Sequence, residues 1–189
     1  MKRQGIKYLT GDEKRQLLKT LSVRTDARRS YMMYDLMLAT GLRLSEAVNL
    51  TVRDVQGRTN LEIVGKGTKV REIPLNKAIQ EHLAAFLRWK AWRKESLEPE
   101  APLFVSRNHR RMSPRQVQRD LPKWLRLAGI EGHYSPHALR HTVGTELMRK
   151  TGNIRVVQEY LGHADISTTQ VYTHVMKEEL VGAAELLSV

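Results

Sequence analysis

The hydrophobic pattern changes period near the middle of the chain, and that change limits the fold. Leu61-Glu62-Ile63-Val64 and Val70-Arg71-Glu72-Ile73 alternate with period two, with Gly65-Lys66-Gly67-Thr68-Lys69 between them. Alternation on both sides of a glycine-bearing loop predicts a β-hairpin. Leu103-Phe104-Val105 is short and apolar and is expected to add a third strand. The rest of the chain repeats at helical spacing. Ile79, Leu83, Phe86 and Leu87, for example, fall on one helix face. The expected fold class is α+β and predominantly helical, with a small three-stranded antiparallel sheet.

Helix punctuation divides the remainder. Thr10 and Glu13 have capping-box spacing ahead of Leu17, Leu18 and Leu21. Arg24 to Ser30 reads as a polar connection. A helix through Tyr31, Tyr34 and Leu38 stops near Gly41, and Ser45 to Leu50 starts another. Ser113-Pro114 and Ser135-Pro136 are N-cap and N1 pairs. The first opens a helix with the apolar stripe Val117, Leu121, Trp124, Leu125 and Ala128. A second, basic stripe is Arg111, Arg115, Arg119 and Lys123. Pro122 interrupts the hydrogen bonding, but the stripe keeps its register on both sides, so a kink is expected rather than a break. The second pair opens a helix to about Lys150 with Gly152 as its stop. Asn153 to Leu161 is a helix closed by Gly162. Helical stretches are also expected over Thr168 to Tyr172 and, as a tail, Lys177 to Leu187.

At 189 residues the chain is long enough for one ordinary domain, and 41% apolar residues argue against disorder. A formal charge of +12 favours polyanions, nucleic acid foremost. The chain has no cysteine, which excludes disulfides, thiolate metal sites and cysteine catalysis. No apolar run reaches membrane-spanning length, and Met1-Lys2-Arg3-Gln4 lacks the apolar segment of a signal peptide. A soluble, cytoplasmic protein is expected.

Several polar residues carry anion and proton chemistry. His137 and Arg140 share a face in the first turn of their helix, where backbone N–H groups also favour anions. An arginine fork holds two phosphate oxygens at once. Arg43 follows a glycine turn into a helix start; it either meets an anion or pairs with Glu46. Lys66, flanked by glycines, is a proton donor or an ordinary turn lysine, with Lys69 as competitor. Tyr172 is a nucleophile or a buried, hydrogen-bonded phenol. His163 follows the Gly162 stop and points into a pocket or caps a helix. His141 and His174 rank lower, because His141 lies one residue off the His137–Arg140 face. His137 and His141 have ligand spacing, but no third ligand arrives at a matching spacing and the surroundings are cationic, so no metal and no cofactor is expected.

These residues fall into an ordered set. Gly41-Leu42-Arg43-Leu44-Ser45-Glu46, Gly65-Lys66-Gly67, His137-Ala138-Leu139-Arg140-His141-Thr142, Leu161-Gly162-His163 and Tyr172-Thr173-His174 resemble the tyrosine recombinases of the phage-integrase family, and the stretch from Leu161 to Val175 is Xer-like. The resemblance implies that fold and a DNA strand cleavage and transfer reaction without metal or ATP. It implies that Arg43 and Arg140 clamp the scissile phosphate; Glu46, three residues on from Arg43, is placed by its spacing to brace that guanidinium. Lys66 would be the general acid, His137 would assist proton movement, His163 would hydrogen-bond a phosphate oxygen, and Tyr172 would form a 3′-phosphotyrosyl link. Arg111, Arg115, Arg119 and Lys123 would meet double-stranded DNA, on which the protein self-associates as a tetramer. The expected organisation is a linker remnant over 1–7, a catalytic domain over 8–176 and a tail helix over 177–189 that packs on a neighbouring protomer or on its own domain. Family members usually carry a further N-terminal DNA-binding domain, and the sequence as given is expected to start almost at the catalytic domain, as an excised fragment or a naturally short protein. A type IB topoisomerase-like nicking-closing enzyme and a non-catalytic DNA-binding accessory module are the alternatives.

Overall fold

The computed structural model describes residues 7–64, 70–162 and 172. Among them the element order is α1 (Gly11–Ser22), a 3₁₀ turn (Thr25–Ala27), α2 (Arg28–Thr40), α3 (Leu44–Asn49), β1 (Asn60–Val64), β2 (Val70–Pro74), α4 (Lys77–Trp92), α5 (Pro114–Leu127), α6 (Pro136–Thr151) and α7 (Ile154–Leu161). The chain is predominantly helical, as its periodicity requires. Lys66, His163, His174 and the tail helix expected over 177–189 lie outside the described residues.

Side-chain chemistry sets the helix starts. Thr10 and Glu13 form a reciprocal capping box: the Glu13 amide donates to Thr10 Oγ1 (3.2 Å) and the Thr10 amide to Glu13 Oε2 (2.6 Å). Asn76 and Ser113 accept from Ile79 and Gln116 at the starts of α4 and α5. α5 runs unbroken through Pro122. α2 begins at Arg28, inside the stretch expected to be a connection, because the 3₁₀ turn over Thr25–Ala27 feeds directly into it.

α2 is the central post. Met32 through Leu38 are all buried, and α1, α4 and α6 pack around it. A helix with residues buried on every side must be enclosed by its neighbours. α6 is the second buried helix, and α7 lies against it and against β2. A smaller apolar cluster of Val143, Met148, Val157, Leu161 and Tyr172 forms between α6 and α7. Near the N-terminus, the Leu9 amide donates to Thr142 Oγ1 (2.8 Å) and ties the segment ahead of α1 to α6.

The sheet differs from expectation. β1 and β2 pair antiparallel, Asn60 opposite Pro74 through Val64 opposite Val70, and among the described residues the sheet has two strands. Leu103–Val105 does not join it. Around that segment are single bridges, Thr51 with Pro102 and Val105 with Arg111. Pro102 has no amide hydrogen to extend a ladder, and the Leu103 amide is taken by the Leu50 carbonyl (2.9 Å).

Candidate active site

Arg140 is the anchor of the site. It lies on α6 and is 2% exposed. Nη1 donates to the Gly41 carbonyl and Nη2 to the Leu161 carbonyl, both at 2.6 Å. Those carbonyls stand at the C-terminal ends of α2 and α7, where helix dipoles are negative and carbonyls lack helical partners. Gly41 turns there with φ 65°. A β-carbon at Gly41 would stand 2.5 Å from Leu161 Cδ2, so the glycine also lets the two helix ends meet. Burial, Arg43 and Arg71 push the guanidinium pKa down to about 10, against the pull of Glu46 and Tyr172. It remains a cation at neutral pH.

Arg43 is the N-cap residue of α3. Nη1 donates to Glu46 Oε1 (2.9 Å), Nη2 to the Gly162 carbonyl (3.3 Å), and the backbone amide to Glu46 Oε2 (2.7 Å). The ion pair weighed as an alternative therefore exists, and it orients the arginine rather than removing it from the site. Glu46 holds a second arginine. Arg71 Nη2 and Nη1 donate to its two oxygens at 2.7 and 3.2 Å. Burial raises the Glu46 carboxyl pKa, but the hydrogen bonds and charge of Arg71 and Arg43 outweigh it and bring the pKa below the ordinary value.

Arg71 escaped the sequence reading. Charge on a strand usually marks the solvent face. Its parity was the available signal: Arg71 shares the inward face with Ile73 and pairs opposite Ile63. The side chain lies against Gly162, where a β-carbon would stand 2.5 Å from Arg71 Cδ. Gly162 also takes φ 66°, which disfavours other residues.

Beside these cations, Leu42, Arg43, Leu44, Gln118, Ser135, Pro136, His137 and Arg140 line a cavity of about 210 Å³. His137 stands in it. Partial burial, then Arg140 and Arg43, lower its pKa, so the ring is neutral at pH 7. The ring meets that of His141 edge-on at 4.6 Å. His141 in turn places Nδ1 3.0 Å from the Tyr172 hydroxyl. The structure thus raises His141 above its sequence ranking, because it faces the tyrosine rather than the His137–Arg140 side.

Tyr172 is 1% exposed. Its ring occupies a slot on α6 that exists because residue 144 is glycine. A β-carbon at Gly144 would stand 2.3 Å from Cζ and 2.6 Å from the hydroxyl. Burial pushes the phenol pKa up to about 12, with Arg140 opposing. Burial, His137 and Arg140 bring the His141 pKa down to about 4. Arg43, Arg140 and His137 therefore line the cavity, while His141 touches His137, Tyr172 touches His141, and Arg71 is joined to Arg43 through Glu46. Guanidiniums in this setting suit an oxyanion, and a phenol beside an imidazole has the chemistry of an oxygen nucleophile. Among the described residues there is no group of three or more metal-ligating side chains.

The basic stripe needs revision at its first member. Arg111 precedes the Ser113 cap and lies outside α5. Its Nη1 donates to the Val48 and Leu50 carbonyls (3.0 and 3.2 Å), closing the end of α3. Arg115, Arg119 and Lys123 are exposed on α5. Arg119 Nε donates to Asp120 (3.3 Å), and Lys123 Nζ sits 4.5 Å from the Trp124 ring centre. Gln118 of the same helix lines the cavity, so this surface adjoins the site.

A model of the phage integrase family matches residues 7–179. The chain is 40% identical over 183 residues to tyrosine recombinase XerC of Vibrio parahaemolyticus serotype O3:K6, covering 96% of this chain and 58% of that protein. It therefore spans little more than half the length of that relative. Among solved structures, XerA recombinase superposes with a TM-score of 0.80 at 28% identity, over 93% of this chain and 64% of that one. XerH site-specific recombinase, bound to palindromic difH substrate in a post-cleavage complex, gives 0.81 at 25% identity, over 97% and 54%.

Proposed function

The chain belongs to the phage integrase family, and from that premise we propose that it is the catalytic part of a site-specific DNA recombinase that cleaves and rejoins strands through Tyr172. One observation carries this reading. Arg43 and Arg140, positioned by Glu46 and by two helix ends, border the cavity that His137 enters, and Tyr172 stands one histidine away. The scissile phosphate takes the cavity, and the two guanidiniums bind its oxygens more strongly as charge develops. The phenol oxygen attacks phosphorus and the 5′-oxygen leaves. The aryl phosphodiester conserves the energy of the broken bond, since phenoxide is a good leaving group, so a 5′-hydroxyl reverses the step without ATP. Lys66 protonates the leaving oxygen and His163 hydrogen-bonds a phosphate oxygen, both by family resemblance.

Duplex DNA is the proposed partner, in a soluble, cytoplasmic protein that assembles as a tetramer on it. XerH bound to its difH substrate supports the DNA partner. Arg115, Arg119 and Lys123 take backbone phosphates, each adding about 0.9 to the salt slope of binding. The buried phenol is shielded from solvent until DNA docks. The test is an SDS-resistant protein–DNA adduct on duplex sites selected from a randomised library. The wild-type chain forms one and Tyr172→Phe does not. No adduct on any selected duplex, or an adduct that survives the substitution, sinks the assignment.

A further inference from the structure

We propose that His141 takes the proton from Tyr172 during strand cleavage, a role that family resemblance would give to His137. The inference rests on the recombinase reading above and specifies how the nucleophile of that reaction is activated. Its first support is contact. Nδ1 of His141 lies 3.0 Å from the Tyr172 hydroxyl, within reach for direct transfer. His137 meets His141 edge-on and lines the phosphate cavity instead. His137 thus divides from His141 by position: one ring faces the anion, the other the nucleophile.

The second support is the enforced geometry. The ring of Tyr172 lies in the slot left by Gly144, one helical turn from His141 on the same side of α6. The slot fixes where the hydroxyl stands, and His141 is the imidazole beside it. The third support is charge. Lys7, His133, Tyr134 and His137 line the cavity that His141 shares, about 400 Å³ in volume, and Arg140 follows from its own helix. Partial burial first, then His137 and Arg140, bring the imidazole pKa down to about 4, so the ring is unprotonated at neutral pH. An unprotonated ring with its hydrogen on Nε2 presents a lone pair at Nδ1. Negative charge arriving on the phosphate then favours the imidazolium as the proton moves.

The step balances. The O–H bond of Tyr172 breaks and its proton passes to His141 Nδ1. The freed electron pair forms the bond from the phenol oxygen to phosphorus. The bond from phosphorus to the 5′-oxygen breaks, and that oxygen takes a proton from Lys66. Rejoining runs in reverse, with His141 returning the proton to the departing phenoxide.

The experiment compares the full wild-type chain with His141→Asn, using a duplex recovered by wild-type covalent capture as the probe. Asparagine places an amide near the Nδ1 position and keeps a hydrogen bond to the phenol, but it cannot accept the proton. The expected result is a single-turnover rate lowered by about 10²–10⁴. That rate should climb about tenfold per pH unit between about pH 7 and 9, as the phenoxide fraction grows, while the wild-type rate stays level. Wild-type rate and a level profile in the variant overturn the assignment and leave the recombinase reading standing. No adduct from the wild type overturns both. A second measurement needs no DNA and no variant: ¹⁵N spectra of the histidine-labelled chain report the His141 tautomer. Hydrogen on Nε2 is expected, and hydrogen on Nδ1 in the free protein overturns the proposal.

Discussion

Glu46→Gln is the substitution that most directly tests how the site is held. The carboxylate accepts from Arg71 Nη1 and Nη2, from Arg43 Nη1 and from the Arg43 amide. Glutamine keeps one acceptor oxygen, and its amide hydrogens face guanidinium donors. Charge-assisted hydrogen bonds contribute about 1.5–3 kcal/mol each. The Arg43 side chain is 41% exposed, so solvent screens its share. Arg71 and Glu46 are 12% and 13% exposed, and their pairing dominates. Losing it leaves Arg71 without its counter-charge, with Arg140 nearby. The expected destabilisation is about 2–4 kcal/mol, or roughly 5–15 °C in Tm for a chain of this size.

The pH dependence has a definite sign. The folded Glu46 pKa lies below its ordinary 4.5, so its stabilisation is complete above that pH and is lost as pH falls through the folded value. Thermal unfolding by circular dichroism at pH 7 and across the range from 4.5 downward measures both effects. Glu46→Gln should unfold earlier at pH 7, and the gap to wild type should close as the pH drops. A Tm change under about 2 °C at pH 7, or a gap that widens in acid, refutes the bridging role.

Two further substitutions separate fold from chemistry. Arg140→Lys cannot span the Gly41 and Leu161 carbonyls with one ammonium, so it should lose about 1.5–3 kcal/mol in urea unfolding and about 10²–10³ in adduct formation rate. Gly144→Ala should leave the chain folded, since alanine favours a helix by about 1 kcal/mol over glycine, yet force the Tyr172 ring from its slot. Nitration of Tyr172 by tetranitromethane should then rise while helical circular dichroism is kept, and unchanged protection counts against the slot.

The parts legible in the sequence are those whose physics is local. The Thr10–Glu13 box, the Ser113-Pro114 start and the glycine stops depend on neighbouring backbone, and the structure forms each of them. Glu46 was legible because it lies one turn from Arg43. Arg111 was misplaced because its spacing to Arg115 was counted across the Ser113 cap, where helical period does not apply. The third strand failed for a tertiary reason: Leu103 found its partner in Leu50 at the end of α3 rather than in the hairpin. Gly144 carried an unused signal, since a glycine inside a helix needs a packing reason, here the Tyr172 ring.

Arg71 and Arg140 break local rules most plainly. One is a charge on the apolar face of a hairpin, the other a charge almost fully withdrawn from water. Arg71 Nε is buried without a hydrogen-bond partner among the described residues. Arg43 and Arg71 share one carboxylate, and burial, with the charges of Arg43 and Arg71 after it, lowers the pKa of Arg140 beside them. A fold selected for stability alone would replace such a cluster with apolar packing. The excess positive charge suits a site that receives an anion. The two helix ends and Glu46 then serve to hold the cations apart and in place before that anion arrives, so that little reorganisation is needed when it does.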